Sequence, residues 1–120
     1  MVAMRDAQHP ATAEISLTRV LAALSDPIRL GLVRLLADGE ERAWNELRVP
    51  VAKSTLSHHL KVLRAAGVTR TRQDGTRCFV RLRGEDLRAR FPGLLDALLD
   101  TVRTEEIGAE VGGPDTTPAR

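Results

Sequence analysis

Apolar residues recur at helical spacing from Ile15 to Leu24 (ISLTRVLAAL), and Ser25-Asp26-Pro27 then interrupts them. Asp26 can accept the free N–H groups of a new helix, and Pro27 suits its first position because it has no N–H to lose. The pattern therefore predicts a second helix from Pro27 to about Ala37 that buries Ile28, Leu32, Leu35 and Leu36 and stops at Gly39. RAWNELR, Arg42–Arg48, predicts a short third helix ended by Val49-Pro50, since the residue before proline is pushed out of helical geometry. The fourth helix is the best defined: KSTLSHHLKVLRAAGV, ending at Gly67. Two strand-like runs follow around Asp74-Gly75, a dipeptide suited to a tight hairpin turn. From Gly84 the chain is helical again with a break at Phe91-Pro92, and Leu94, Leu95, Leu98, Leu99 and Val102 then form one apolar stripe.

This order predicts a mainly α fold with a two-stranded β wing, a winged helix-turn-helix, in which the third and fourth helices form the helix-turn-helix. Residues 14–107 form the expected domain. Residues 1–13 and 108–120 lack periodicity and are expected to be disordered tails. At 120 residues the domain is small, so a partner subunit would add useful burial. Its aromatic residues are Trp44, Phe79 and Phe91, which leaves a core of Leu, Val and Ala.

Charge sharpens this picture. The net value is +2, yet residues 53–90 hold ten basic residues against three acids, while the segments before and after are net negative. A concentrated basic block is the footprint of a nucleic-acid surface, of a basic face that binds another protein, or of an ordinary solvated face. The arginine bias of the chain carries no mechanistic weight of its own. The single cysteine, Cys78, cannot form an internal disulfide, and neither a long apolar run nor a signal pattern is visible. A soluble, cytoplasmic protein without membrane contact is expected.

His58 and His59 raise three possibilities: a metal site, a catalytic pair or a contact surface. At about 100° per residue, Leu56, Leu60 and Leu63 define the buried face of the fourth helix, and His58 lies about 200° from Leu56. Ser54, Ser57, Lys61 and Ala65 share that outer face, whereas His59 sits on the edge of the buried one. The two rings diverge, and no His, Cys, Asp or Glu stands three or four residues from either. No acid occurs between Lys53 and Gln73 to orient an imidazole, so the chain reads as no enzyme, with no metal and no cofactor. What remains is a row of groups suited to phosphates and base edges of double-stranded DNA. They are Lys53, Ser54, Thr55, Ser57, His58, His59, Lys61 and Arg64, with His58 expected to read bases and His59 to brace the helix and touch a phosphate. In the wing, Arg72 and Arg77 are placed to reach backbone or minor groove. Arg81 and Arg83 are expected in surface ion pairs, and Cys78, Val80 and Leu82 on the inner face.

LSDPIRLGLVRLL, STLSHHLKVLRAAGV and DGTRCFVRL together resemble the entry helix, recognition helix and wing of the ArsR-type bacterial repressors, in order and at family spacing over residues 16–103. The resemblance implies a homodimer that binds a palindromic operator and represses transcription. Its interface is expected on the first helix (Leu17, Val20, Leu21) and on Leu94, Leu95, Leu98, Leu99 and Val102. The family's thiolate metal motif falls on RAWNEL, where Ala43 and Asn45 replace the two cysteines. A second family site uses Asp and His on the last helix; here Asp96 and Asp100 are present, but no histidine follows His59. Ala52 also departs from the pattern, because many relatives have a capping serine there; Ser54 is expected to cap instead. No small-molecule effector is identified by the sequence.

Overall fold

A computed structural model of the chain describes residues 9–114. Helices α1 (Leu17–Ala23) and α2 (Pro27–Leu35) lead to the short strand β1 (Arg42–Ala43) and to α3 (Lys53–Ala65). Strands β2 (Thr69–Asp74) and β3 (Arg77–Leu82) form the wing, and α4 (Gly84–Arg90) and α5 (Leu94–Thr104) complete the order. Single 3-10 turns occupy Thr12–Glu14, Leu36–Asp38 and Trp44–Glu46.

The predicted start of α2 is present: the Asp26 carboxylate accepts from the N–H groups of Ile28 and Arg29, with Pro27 in the first turn. The helix tightens into a 3-10 turn and stops at Gly39, whose φ is 81°. At the end of α3 the N–H of Gly67 donates to Arg64 and that of Val68 to Leu63, a closure that requires the left-handed conformation Gly67 adopts. Leu56, Leu60 and Leu63 are buried as their spacing requires, and they meet Val20, Leu32, Leu36, Val68 and Val80 in one core. Ile28 is only half-buried.

Several expectations need correction. The third helix is absent: Arg42-Ala43 pairs with Val80 and Phe79 on the free edge of β3, and only a 3-10 turn remains before Val49-Pro50. The sheet consequently has three strands, ordered β1-β3-β2. In the wing, Asp74 pairs with Arg77, so the turn is Gly75-Thr76, one residue later than expected. Gly75 takes the positive φ that such a two-residue turn needs.

The expected tails are shorter than their composition implies. After α5 the chain turns at Glu106 (φ 56°), and residues 108–113 run back across α2 as a strap. Val111 is 2% exposed, Arg34 donates to the carbonyls of Gly108 and Val111, and Arg48 and Gly112 exchange backbone hydrogen bonds. Glycine permits this approach, because Gly31 and Gly108 meet backbone to backbone. At the other end the Thr71 N–H donates to His9 Nε2 and Arg83 donates to the Pro10 carbonyl, which holds residues 9–13 against the wing. The rest of the two expected tails, residues 1–8 and 115–120, lies outside the described residues.

The expected dimer stripe also divides. Val20, Leu95, Leu99 and Val102 are buried within the single chain, because α5 packs against α2 and α1 against α3. Leu17 and Leu21 stand 44% and 45% exposed, and Leu94 and Leu98 are half-buried.

Candidate nucleic-acid interface

Helix α3 turns Leu56, His59, Leu60 and Leu63 inward and leaves Lys53, Ser54, Thr55, His58, Lys61 and Ala65 exposed on its other side. Ser57 and Arg64 are half-buried. The helix begins at Lys53, directly after Ala52, so Ser54 is not its cap; that expectation is corrected. Ala52 has no side-chain oxygen, so no side-chain cap closes this terminus. The first-turn N–H groups and the positive end of the helix dipole therefore face outward next to Lys53, Ser54 and Thr55.

The histidines separate as their wheel positions demand. Their ring centroids are 6.1 Å apart and tilted by 48°. His58 is exposed; His59 is buried, with Nδ1 2.9 Å from Nη1 of Arg29. A guanidinium only donates, so Nδ1 accepts and the ring proton sits on Nε2, which makes His59 neutral. Arg29 also donates through Nε to the Ala23 carbonyl, so it ties the end of α1 to α3. His59 is thus a brace, and the phosphate contact expected of it is corrected by its burial.

Burial holds the His59 pKa below its ordinary value, opposed by nearby Asp26 and reinforced by Arg29 and His58. A base whose folded pKa is depressed resists the proton that the unfolded chain accepts near 6.5. Its contribution is complete above that pH and is lost as pH falls through and below it. Urea midpoints measured from pH 8 to pH 5 are therefore expected to fall more steeply for the wild type than for His59→Gln. Parallel slopes would refute this role.

In the wing, Arg72 and Arg77 flank the Phe79 ring, at 4.5 Å and 5.0 Å from its centroid. Arg72 grips Glu41 through two hydrogen bonds of 2.7 Å and 3.0 Å, which lower the Glu41 pKa against the opposing effect of burial. Arg77 is exposed and has no ion pair among the described residues. Arg70 and Arg81 lie directly opposite each other on β2 and β3, both exposed. Arg83 is not at the surface: it is 5% exposed, bonded to Asp86 at 2.9 Å and to the Pro10 carbonyl at 2.7 Å. Arg81 forms no ion pair among the described residues, so both surface pairs expected of the wing are corrected.

The residues opposite the family's metal positions have other surroundings. Ala43 is buried in β1, Asn45 is exposed in the following turn, and Asp96 accepts from Arg88 at 3.2 Å. Among the described residues no three His, Cys, Asp or Glu side chains gather as a metal site would require. Cys78 is half-buried. Sequence reading did not find Arg29 and Glu41, because their partners lie about thirty residues away and no local pattern marks them. Among the described residues, no helix is long and apolar enough to cross a membrane.

Residues 24–72 match the model of a helix-turn-helix domain. The chain is 37% identical over 83 residues to an HTH-type transcriptional regulator of Bacillus subtilis, YceK, covering 67% of this chain and 83% of that protein. It is 33% identical over 93 residues to the arsenical resistance operon repressor of Staphylococcus xylosus, covering 77% and 85%. It is also 35% identical over 88 residues to a biofilm growth-associated repressor of Xylella fastidiosa, covering 72% and 74%. A crystal structure of a possible transcriptional regulator for arsenical resistance shares the fold, with a TM-score of 0.55 and 33% identity over 75% of this chain and 97% of that one.

Proposed function

Since the chain belongs to the ArsR-type winged helix-turn-helix family of DNA-binding transcriptional regulators, which are not enzymes, we propose that it is a homodimeric repressor of a palindromic operator without the family's usual metal-sensing sites. The observation that carries this reading is the outer face of α3: an uncapped N-terminus beside Lys53, Ser54, Thr55, Ser57, His58 and Lys61, with no carboxylate on the helix. A DNA phosphate supplies the acceptor that Ala52 lacks, and His58, on the groove side, is placed to reach a base edge.

Arg64 and Arg77 add contacts to the backbone, and Arg72 joins them by exchanging the Glu41 carboxylate for a phosphate. The exposed Leu17 and Leu21, with the half-buried Leu94 and Leu98, supply the surface for a second copy. Pairing there sets two recognition helices about 34 Å apart, the spacing of successive major grooves. Replacement of the two thiolate positions by Ala43 and Asn45 supports a repressor that does not sense metal there.

The test is binding to random and selected duplexes over a range of salt concentrations. Affinity is expected to fall steeply with salt as phosphate counterions are released. Lys61→Ala should weaken both duplexes alike, and His58→Ala should reduce the preference for the selected one, by about 1–3 kcal/mol of discrimination. Salt-independent binding would favour a protein partner for the basic face, and an equal loss on both duplexes for His58→Ala would remove its reading role.

A further inference from the structure

A cavity of about 440 Å³ opens at the foot of α3. Trp44, Leu47, Val49, Val51 and Leu56 give it apolar walls, while Lys53 and Arg48 bring positive charge and no carboxylate lines it. Its volume lies within the range of small-ligand sites. The wall that carries Trp44 is a 3-10 turn standing where a regular helix was expected, and the Trp44 indole N–H is buried without an acceptor. Such burial costs about 1–3 kcal/mol, a cost that a guest offering an acceptor to this N–H would relieve.

The two cations differ. Arg48 donates to the Gly113 carbonyl and its backbone is bridged to Gly112, whereas the Lys53 side chain is exposed and makes no ion pair among the described residues. We propose that this cavity binds a small amphipathic carboxylate, its apolar body against Trp44 and Val51 and its anion paired with Lys53. Lys53 and Ser57 also belong to the DNA-facing surface, so ligand and DNA compete for them and the ligand releases DNA. Occupancy of the cavity does not depend on the operator reading; the competition rests on it.

Trp44 is the only tryptophan, so its emission reports occupancy directly and without DNA. The probes are octanoate, decanoate and 4-phenylbutyrate, each beside its uncharged amide, at up to millimolar concentration. At least one acid should shift the emission saturably and bind about tenfold more tightly than its amide, as loss of one charge-assisted hydrogen bond predicts. Lys53→Met should remove that difference and leave amide binding unchanged. Val51→Phe, its fold verified by circular dichroism, should abolish the response by filling the cavity. No saturable response to any probe, equal affinity for acid and amide, or undiminished binding by Val51→Phe would overturn the site. A labelled duplex bound at low salt should be displaced by the acid that binds. Fluorescence binding without displacement would leave the carboxylate site standing and overturn its competition with DNA.

Discussion

Replacing Leu17 and Leu21 together by glutamate is expected to yield a folded monomer whose affinity for a two-half-site operator is reduced on the order of 100-fold or more. Both side chains are nearly half exposed in the single chain, so the substitution should perturb its core little, and glutamate is a good helix former. In a dimer the same positions would bury four carboxylates against an apolar partner surface, a cost that association cannot repay. Linking two reading heads makes the second binding event intramolecular, worth 10²–10⁴ in avidity, and this advantage disappears with the dimer. Light scattering at micromolar concentration gives the mass, circular dichroism the fold, and anisotropy titrations on one-half-site and two-half-site duplexes the affinity. The single half-site should bind as before. A variant that stays dimeric would move the interface elsewhere and sink the proposed arrangement.

The expected interface shows where the sequence informs and where it stops. Periodicity correctly finds an apolar stripe on the last helix, but Leu94, Leu95, Leu98, Leu99 and Val102 span more of the helix circumference than one contact needs. Three of them serve the chain's own core and two lie nearer its surface. Which partner a stripe faces is a tertiary property. Local chemistry, in contrast, was legible: Asp26-Pro27 starts α2, Gly67 closes α3, and the wheel separates His58 from His59, because each depends on residues within one or two turns. The third helix failed for the opposite reason. Arg42-Ala43 gains more by joining the free edge of β3, nearly forty residues away, than a short helix limited by Pro50 could offer.

The arginines illustrate the same limit. Arg29, Arg34, Arg83 and Arg90 each reach a backbone carbonyl, on Ala23, Gly108 and Val111, Pro10, and Ile15 respectively. Within the basic block this engages Arg83 and Arg90, while Arg72 and Arg88 hold carboxylates. Lys53, Lys61, Arg64, Arg70, Arg77 and Arg81 remain as the cations without such partners among the described residues. The charge count located the basic block on which the proposed DNA surface draws. It could not distinguish cations that tie segments together from those available to phosphate.

Gly31→Ala is expected to destabilise the protein by roughly 2–3 kcal/mol, although helix propensity alone predicts a gain of up to about 1 kcal/mol for alanine within α2. A Cβ at residue 31 would stand 2.6 Å from the Gly108 carbonyl oxygen and 2.7 Å from a Val111 methyl. A backbone oxygen at that distance must move, and α2 cannot give way because Leu32, Val33 and Leu35 are fixed in the core. The strap yields instead. With it go the burial of Val111, the two Arg34 bonds and the Arg48–Gly112 bridge. That bridge steadies the segment leading into α3, so DNA affinity should fall several-fold although no residue of the proposed DNA face has changed. Urea unfolding gives the stability, and hydrogen exchange of residues 108–113 should show the strap released while the core stays protected. Gly108→Ala should act in the same direction, since it combines a φ of +64° with a clash against the Pro27 carbonyl. If Gly31→Ala proves more stable than the wild type, propensity has won over contact, and the strap cannot be docked on α2.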